Sequence, residues 1–253
     1  MHSEGTESDS ALDEIVRECL YRFLAAVVAG PNSPGWCRAT DAGDQELALE
    51  AARWLQAESD ELRMSRLVEE LQVPLDTLRA QYENVFGIVV PKDCPPYETE
   101  YYPSQDTFGR SQQLADVAGF YRAFGIELAQ SVRERPDHLA LELEFMAFLL
   151  LKKRMTYAAG DHDPAADEQA SICEQAHRDF FRDHLAWWVP AFAANLRRKV
   201  HDGYLHALAE VLATWVPAEC RRLEIHTVLR PTQPERIEEP EEQSGCAACL
   251  LRP

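Results

Sequence analysis

The stretch from residue 136 to 154, PDHLALELEFMAFLLLKKR, constrains this chain more than any other part of it. Placed on a helix at about 100° per residue, its Leu, Phe, Met and Ala side chains cover every side of the cylinder. That pattern predicts a helix buried all round, which needs several other elements packed against it. Glu142 and Glu144 are the odd residues on it. A buried carboxylate must find a hydrogen-bonded or charged partner, shift its pKa upward, or look into a cleft.

The rest of the chain supplies helices to do the covering. Leu12, Ile15, Val16, Cys19, Leu20, Phe23, Leu24 and Val27 form one stripe, with Ser10 read as its N-cap and Gly30-Pro31 as its stop. Amphipathic segments follow at 44–57 and 60–72. A helix from Pro74 carries Leu75, Leu78, Tyr82, Val85 and Phe86 and closes at Gly87. Helix resumes from Ser111 to Gly125, and further stretches are read at 165–186, 190–201 and 203–216, with Pro217 interrupting before 218–229. No window shows sustained strand alternation. The predicted fold is all-α, a single helical globule of about ten helices with two subdomains. The expected layout is a disordered acidic end over 1–10, an N-terminal helical subdomain over 11–125 and a hinge at 126–136. A C-terminal subdomain over 137–230 and a flexible acidic tail over 231–253 complete it.

Charge narrows the partners. The chain has 25 Lys and Arg against 43 Asp and Glu, a net charge of -18. That balance argues against sequence-independent nucleic-acid binding and against docking on an anionic membrane. About half of the excess lies in the two ends and the rest on the body. The N-terminus lacks the basic and apolar regions of a secretory leader, and no apolar run reaches the length of a membrane helix. A cytoplasmic protein without membrane insertion is expected. The seven cysteines do not form a secreted disulfide framework.

Residues 87–109, GIVVPKDCPPYETEYYPSQDTFG, carry no helical period and are dense in Pro and aromatics, which predicts an ordered functional loop. Within it, Tyr97, Tyr101 and Tyr102 alternate with Glu98 and Glu100. Aromatic faces beside carboxylates suit a cationic ligand or an Arg-bearing peptide. Packing of the tyrosines against the globule is the competing reading. Asp137 and His138 open the apolar helix with Glu142 one turn on. His138 and Glu142 share a face, as a hydrogen-bonded pair or two metal ligands would, while Glu144 points away. With no third ligand in view, a capping Asp137 and a His138 held by Glu142 is the more economical arrangement. Cys246 and Cys249 form a single CxxC, a weak metal candidate beside plain flexible thiols. The chain has no GxGxxG after a strand, no phosphate loop, no HExxH and no GxSxG, and no His, Ser or Cys order that spells a nucleophilic triad. No enzyme and no cofactor are expected.

Four segments in order carry a resemblance: Tyr82-Glu-Asn-Val-Phe-Gly87, Cys94-Pro-Pro-Tyr-Glu-Thr-Glu-Tyr101, Gln113 through Gly125, and Arg135-Pro-Asp-His through Met146. Over about residues 78–150 the chain resembles the TorD/DmsD/NarJ family of cytoplasmic maturation chaperones for molybdopterin oxidoreductases of the DMSO-reductase type. The resemblance implies an all-α chaperone, monomeric or a domain-exchanged dimer, that binds the apo catalytic subunit and its twin-arginine leader until cofactor insertion is complete. The PPYETEY form is similar to chaperones of enzymes acting on hydrocarbons, chlorate or selenate, without choosing among them. It also places the leader-binding motif on Asp137 and His138 and the family's Pro-rich loop on Tyr97, Glu98, Glu100 and Tyr101. Glu142 and Glu144 would border the groove or tie the two halves together. Two guanidinium groups followed by an apolar run call for carboxylates beside an apolar surface. Two other functions compete with this one. One is a stable accessory subunit of the oxidoreductase that uses Cys246 and Cys249 for a metal or cluster. The other is a metal-dependent hydrolase built on His138 and Glu142.

Overall fold

Helix α1 (Glu4–Ala29) stops at Gly30, whose φ of +79° turns the chain beneath the ring of Tyr82. A Cβ at Gly30 would strike that ring, so glycine is required there for both conformation and space. The computed structural model describes residues 4–56, 63–87, 91–102, 107–129, 132, 134–158 and 164–226. Cys246, Cys249 and the C-terminal tail lie outside them.

A 3-10 turn at Pro34–Trp36 leads into the short α2 (Cys37–Thr40), followed by α3 (Ala42–Gln56), α4 (Met64–Glu70) and α5 (Leu75–Phe86). The Pro-rich loop contains a second 3-10 turn, Glu98–Tyr101, before α6 (Thr107–Ala123). Then come α7 (Leu139–Ala158), α8 (Pro164–Phe180), a π turn at Phe181–Leu185, α9 (Val189–Lys199) and α10 (Gly203–Arg222). Among the described residues there are ten α-helices, and the only β pairing is an isolated bridge between Tyr97 and His138. None of these helices is long and apolar enough to cross a membrane.

Helix α7 packs between α1 and α8, while α10 packs on α9, α4 and α5. One hydrophobic core runs through the molecule. Leu20 and Leu24 of α1, Leu143 and Met146 of α7, Phe180, Trp188, Phe192 and Leu212 all belong to it. Residues on both sides of 126–136 therefore share the same apolar interior.

Three helical expectations are corrected. The long apolar helix is not buried all round: Glu144 and Met155 are exposed, and Leu141 and Phe148, on the same side, are half buried. Apolar residues are common on surfaces, so hydrophobicity alone could not mark this wet stripe. Pro217 does not interrupt α10. The proline gives up one backbone hydrogen bond, but buried Trp215, Val216, Glu219 and Cys220 hold the helix together around it. The first helix starts at Glu4, not after Ser10, since an established helix propagates at little cost per residue.

Candidate functional site

Two proline-stiffened segments meet at one edge of the core. Pro95 and Pro96 keep the loop extended, and Pro136 keeps Arg135 extended, which lets the two strips pair. The Glu98 N–H donates to the Asp137 carbonyl at 3.0 Å, and the Leu139 N–H donates to the Pro96 carbonyl at 3.0 Å. These bonds fix the loop to the start of α7, so residues 35 or more positions apart share one site.

Asp137 lies at its centre, fully buried. Its carboxylate accepts the Thr99 N–H at 3.1 Å and the Thr99 hydroxyl at 2.7 Å. Arg135 reaches it with two parallel donors, Nε to Oδ1 and Nη2 to Oδ2, both 3.0 Å. The same guanidinium gives Nη1 to Glu100 Oε1 at 3.0 Å and Nη2 to Thr99 Oγ1 at 3.0 Å, and its Cζ lies 4.3 Å from the centroid of the Tyr97 ring. Burial works against the Arg135 charge, but hydrogen bonds and charges from Asp137 and Glu100 outweigh it and raise its pKa. Tyr97 donates its hydroxyl to Glu134, and Arg110 approaches Glu100 at 3.5 Å.

Behind this surface is a second cluster. Glu98 is fully buried; Gln113 Nε2 donates to its Oε1 at 2.9 Å, Trp187 Nε1 donates to the same oxygen at 3.0 Å, and His184 Nδ1 lies 3.1 Å from Oε2. Burial pushes the Glu98 carboxyl up, against the pull of His184, Gln113 and Trp187. His184 is carried by the π turn, where the Ala186 N–H reaches back to the Phe181 carbonyl at 2.8 Å. One extra residue in a turn re-aims the side chains that follow, and such turns recur at functional positions. The other ring nitrogen of His184 lies 3.6 Å from Asp116. Asp116 lines a cleft of about 480 Å3 with Tyr102, Gly109, Gln112, Gln113 and Ala115.

The capping arrangement differs from the expected one. Asp137 spends its side chain on Thr99 and Arg135, and it is His138 whose Nδ1 accepts the Ala140 N–H at 3.2 Å and caps α7. Burial lowers the His138 pKa to about 4, which keeps Nδ1 free to accept. Glu142 does not hold His138. It is fully buried, and neither of its oxygens has a hydrogen-bond partner of good geometry. Burial, then the charges of Glu98 and Asp137, raise its pKa well above the usual carboxylate range and favour its neutral form.

Of the residues picked out in the sequence, then, Tyr97, Glu98, Glu100, Tyr101, Asp137, His138 and Glu142 come together at one place. Only Tyr97 and Glu100 reach solvent to any extent, while Tyr101 packs against Trp188 with ring centroids 5.2 Å apart. Glu144 is exposed and takes no part. Sequence reasoning missed Arg135, Thr99, Gln113, His184 and Trp187 as members. Arg135 stood inside a quoted motif and its charge beside Asp137 was a usable signal; nothing in the sequence marks a π turn. Among the described residues no group of three or more His, Cys, Asp or Glu is placed to hold a metal ion. Cys94 and Cys173 are buried free thiols, and burial pushes the Cys94 thiol up to about 11.

An all-α core with this loop pinned to the head of α7 defines the class. Residues 41–194 match the family described as nitrate reductase delta subunit, and the chain belongs to that family, which includes the TorD and NarJ proteins. It is 30% identical over 197 residues to the chlorate reductase assembly chaperone protein of Ideonella dechloratans, covering 77% of this chain and 84% of that one. It is 29% identical over 195 residues to the selenate reductase assembly chaperone protein of Thauera selenatis, covering 76% and 83%. The chaperone protein TorD of Vibrio cholerae is 29% identical over 180 residues, covering 67% and 77%. No solved structure matches the chain significantly.

Proposed function

We propose that this chain is a cytoplasmic, system-specific chaperone that catalyses no reaction. It holds the apo catalytic subunit of a molybdopterin oxidoreductase, through its twin-arginine leader, until the cofactor is inserted and the enzyme is ready for export. Family membership supports the chaperone class, and relatives named for chlorate and selenate reductases support a reductase client. The observation that carries the leader-peptide reading is the pairing of the Pro-rich loop with the Pro-Asp-His segment. It brings Tyr97 and Glu100 together over the buried Asp137, around a guanidinium that the site already holds. Tyr97 and Glu100 meet the peptide. Glu98, Tyr101, His138 and Glu142 pack beneath it, and His138 caps the head of α7 there. Residues 126–136 act as the hinge between the two halves, which allows a monomer or a domain-exchanged dimer.

Isothermal titration of the full chain with the client's leader tests this. A dissociation constant at or below about 1 µM, or about -8 kcal/mol, is expected. Absence of binding to the leader, together with absence of the apo subunit from pull-downs of molybdenum-starved cells, sinks the proposal. Finding the chain as a stoichiometric subunit of the purified mature enzyme favours the accessory-subunit alternative instead.

A further inference from the structure

Arg135 sits in a site complete enough to recognise an arginine on its own. A fully buried carboxylate takes the guanidinium through two parallel bonds, Glu100 takes a third donor, Thr99 Oγ1 takes a fourth, and the Tyr97 ring covers one face at 4.3 Å. Planar, bidentate and stacked contacts of this kind select guanidinium over ammonium.

The walls of the site do not depend on the arginine that fills it. With Arg135 withdrawn, Asp137 keeps both bonds from Thr99, and Glu100 keeps Arg110. The main-chain bonds between Glu98 and Asp137 and between Leu139 and Pro96 hold the two strips in register. Arg135 itself enters from the segment before α7, two residues from its partner, with its side chain 41% exposed. Rotation of that side chain alone would empty the site, without moving a helix.

We propose that this is an arginine-binding site which Arg135 occupies in the free protein and yields to an arginine of the bound peptide. Arg135 is thus an internal competitor that weakens and tunes peptide affinity. That the peptide is a client leader rests on the function proposed above; the guanidinium site does not. A protein whose competent form is a minor fraction binds with its intrinsic affinity reduced by that fraction. Removing the competitor removes the reduction.

The test uses the full chain, wild type and Arg135→Ala, with two probes. In thermal melts, millimolar methylguanidinium chloride should raise the melting temperature of Arg135→Ala in a saturable way. Methylammonium chloride at equal ionic strength should not, and the wild type should respond to neither. In titrations, a synthetic peptide with a consecutive Arg-Arg pair before an apolar run should bind Arg135→Ala about tenfold or more tighter than wild type. The Lys-Lys version should gain little. If Arg135→Ala cannot be purified folded, Arg135→Gln takes its place, since it removes the charge while keeping a polar side chain. Equal response of wild type and variant to methylguanidinium overturns the site, and peptide affinity unchanged or weakened by the substitution overturns the competition. Methylguanidinium uptake without peptide binding by either protein leaves the site standing and defeats the leader-peptide reading; peptide binding indifferent to Arg135, with no methylguanidinium response, does the reverse.

Discussion

Two arginine–carboxylate pairs in this molecule use the same chemistry for opposite ends. Arg17 of α1 and Glu219 of α10 join the two ends of the described chain, with side chains 8% and 2% exposed. Arg17 Nε donates to Glu219 Oε1 at 2.9 Å, and the Tyr21 hydroxyl donates to the same oxygen at 2.8 Å. Removing Arg17 leaves a buried carboxylate with only the Tyr21 hydroxyl, and removing Glu219 leaves Arg17 with only the more distant Asp13 at 3.6 Å. Arg135 and Asp137 are two residues apart, and there only the acid is buried; the base keeps a route to water. A buried pair is a fastener when both members are enclosed and a socket when one is not.

The largest effect should therefore come from the enclosed pair. Glu219→Ala leaves the buried Arg17 with only Asp13, 3.6 Å away, and the Tyr21 hydroxyl without its acceptor, and should cost about 3–5 kcal/mol in urea unfolding. A loss below about 1 kcal/mol would mean that Asp13 or water compensates Arg17, and the contrast between the two pairs would collapse.

Asp137→Ala comes next. Arg135 can turn to solvent, so the cost is chiefly that of the Thr99 N–H and hydroxyl left without their acceptor, about 1–3 kcal/mol. Arg135→Ala should cost less than Asp137→Ala, because Asp137 retains Thr99. The opposite ranking in denaturant melts would show that Arg135 fastens the site instead of filling it.

These differences bear on how much the sequence could reveal. The all-α fold was legible because apolar residues recur at helical spacing and because Gly30, Gly87 and Gly125 end helices where the chain must adopt positive φ. The bridge of Tyr97 to His138 was legible only as two Pro-rich motifs, each with its own chemistry. Nothing local says that Thr99 will bond Asp137 or that His184 will reach Glu98, since those pairings depend on how α7 and the π turn pack. Carboxylates beside aromatic rings suit an external arginine, but the chain supplies one of its own: Arg135 pairs with both Asp137 and Glu100. Glu144 failed for a simpler reason: periodicity gives a face its apolar content, and only packing says whether that face is covered.

A third prediction concerns His138. Its pKa falls from the ordinary histidine value to about 4, so the unfolded chain takes up the proton first as pH drops. Its contribution is therefore intact above about 6.5 and is lost as pH falls toward about 4. His138→Asn supplies a capping oxygen to the Ala140 N–H and removes the titration. At pH 7 the variant should lie within about 1 kcal/mol of wild type, and the gap should close or reverse on acidification. His177, packed against Tyr21 and lowered in the same direction by burial and Arg17, titrates in both proteins and cancels from the difference. A gap independent of pH would show that His138 is not held neutral by its surroundings.

The smallest effect at neutral pH should be that of Glu142→Gln. The wild-type side chain is fully buried, and burial and the charges of Glu98 and Asp137 favour its neutral form, so an amide of the same shape changes little there, less than about 1 kcal/mol. The sign of its pH dependence is opposite to that of His138. A carboxyl whose folded pKa is raised gives stability that is complete below its unfolded value and is lost as pH rises toward the folded one. Wild type should hence lose ground to Glu142→Gln as pH increases above about 4.5, the ordinary glutamate value. Urea midpoints at a series of pH values read the difference directly. A flat difference would mean that Glu142 ionises as readily inside the protein as outside it, and that the acids behind the arginine site are not a low-dielectric cluster. In that case the route to water that distinguishes the Arg135 pair from the Arg17 pair would extend into the layer beneath it.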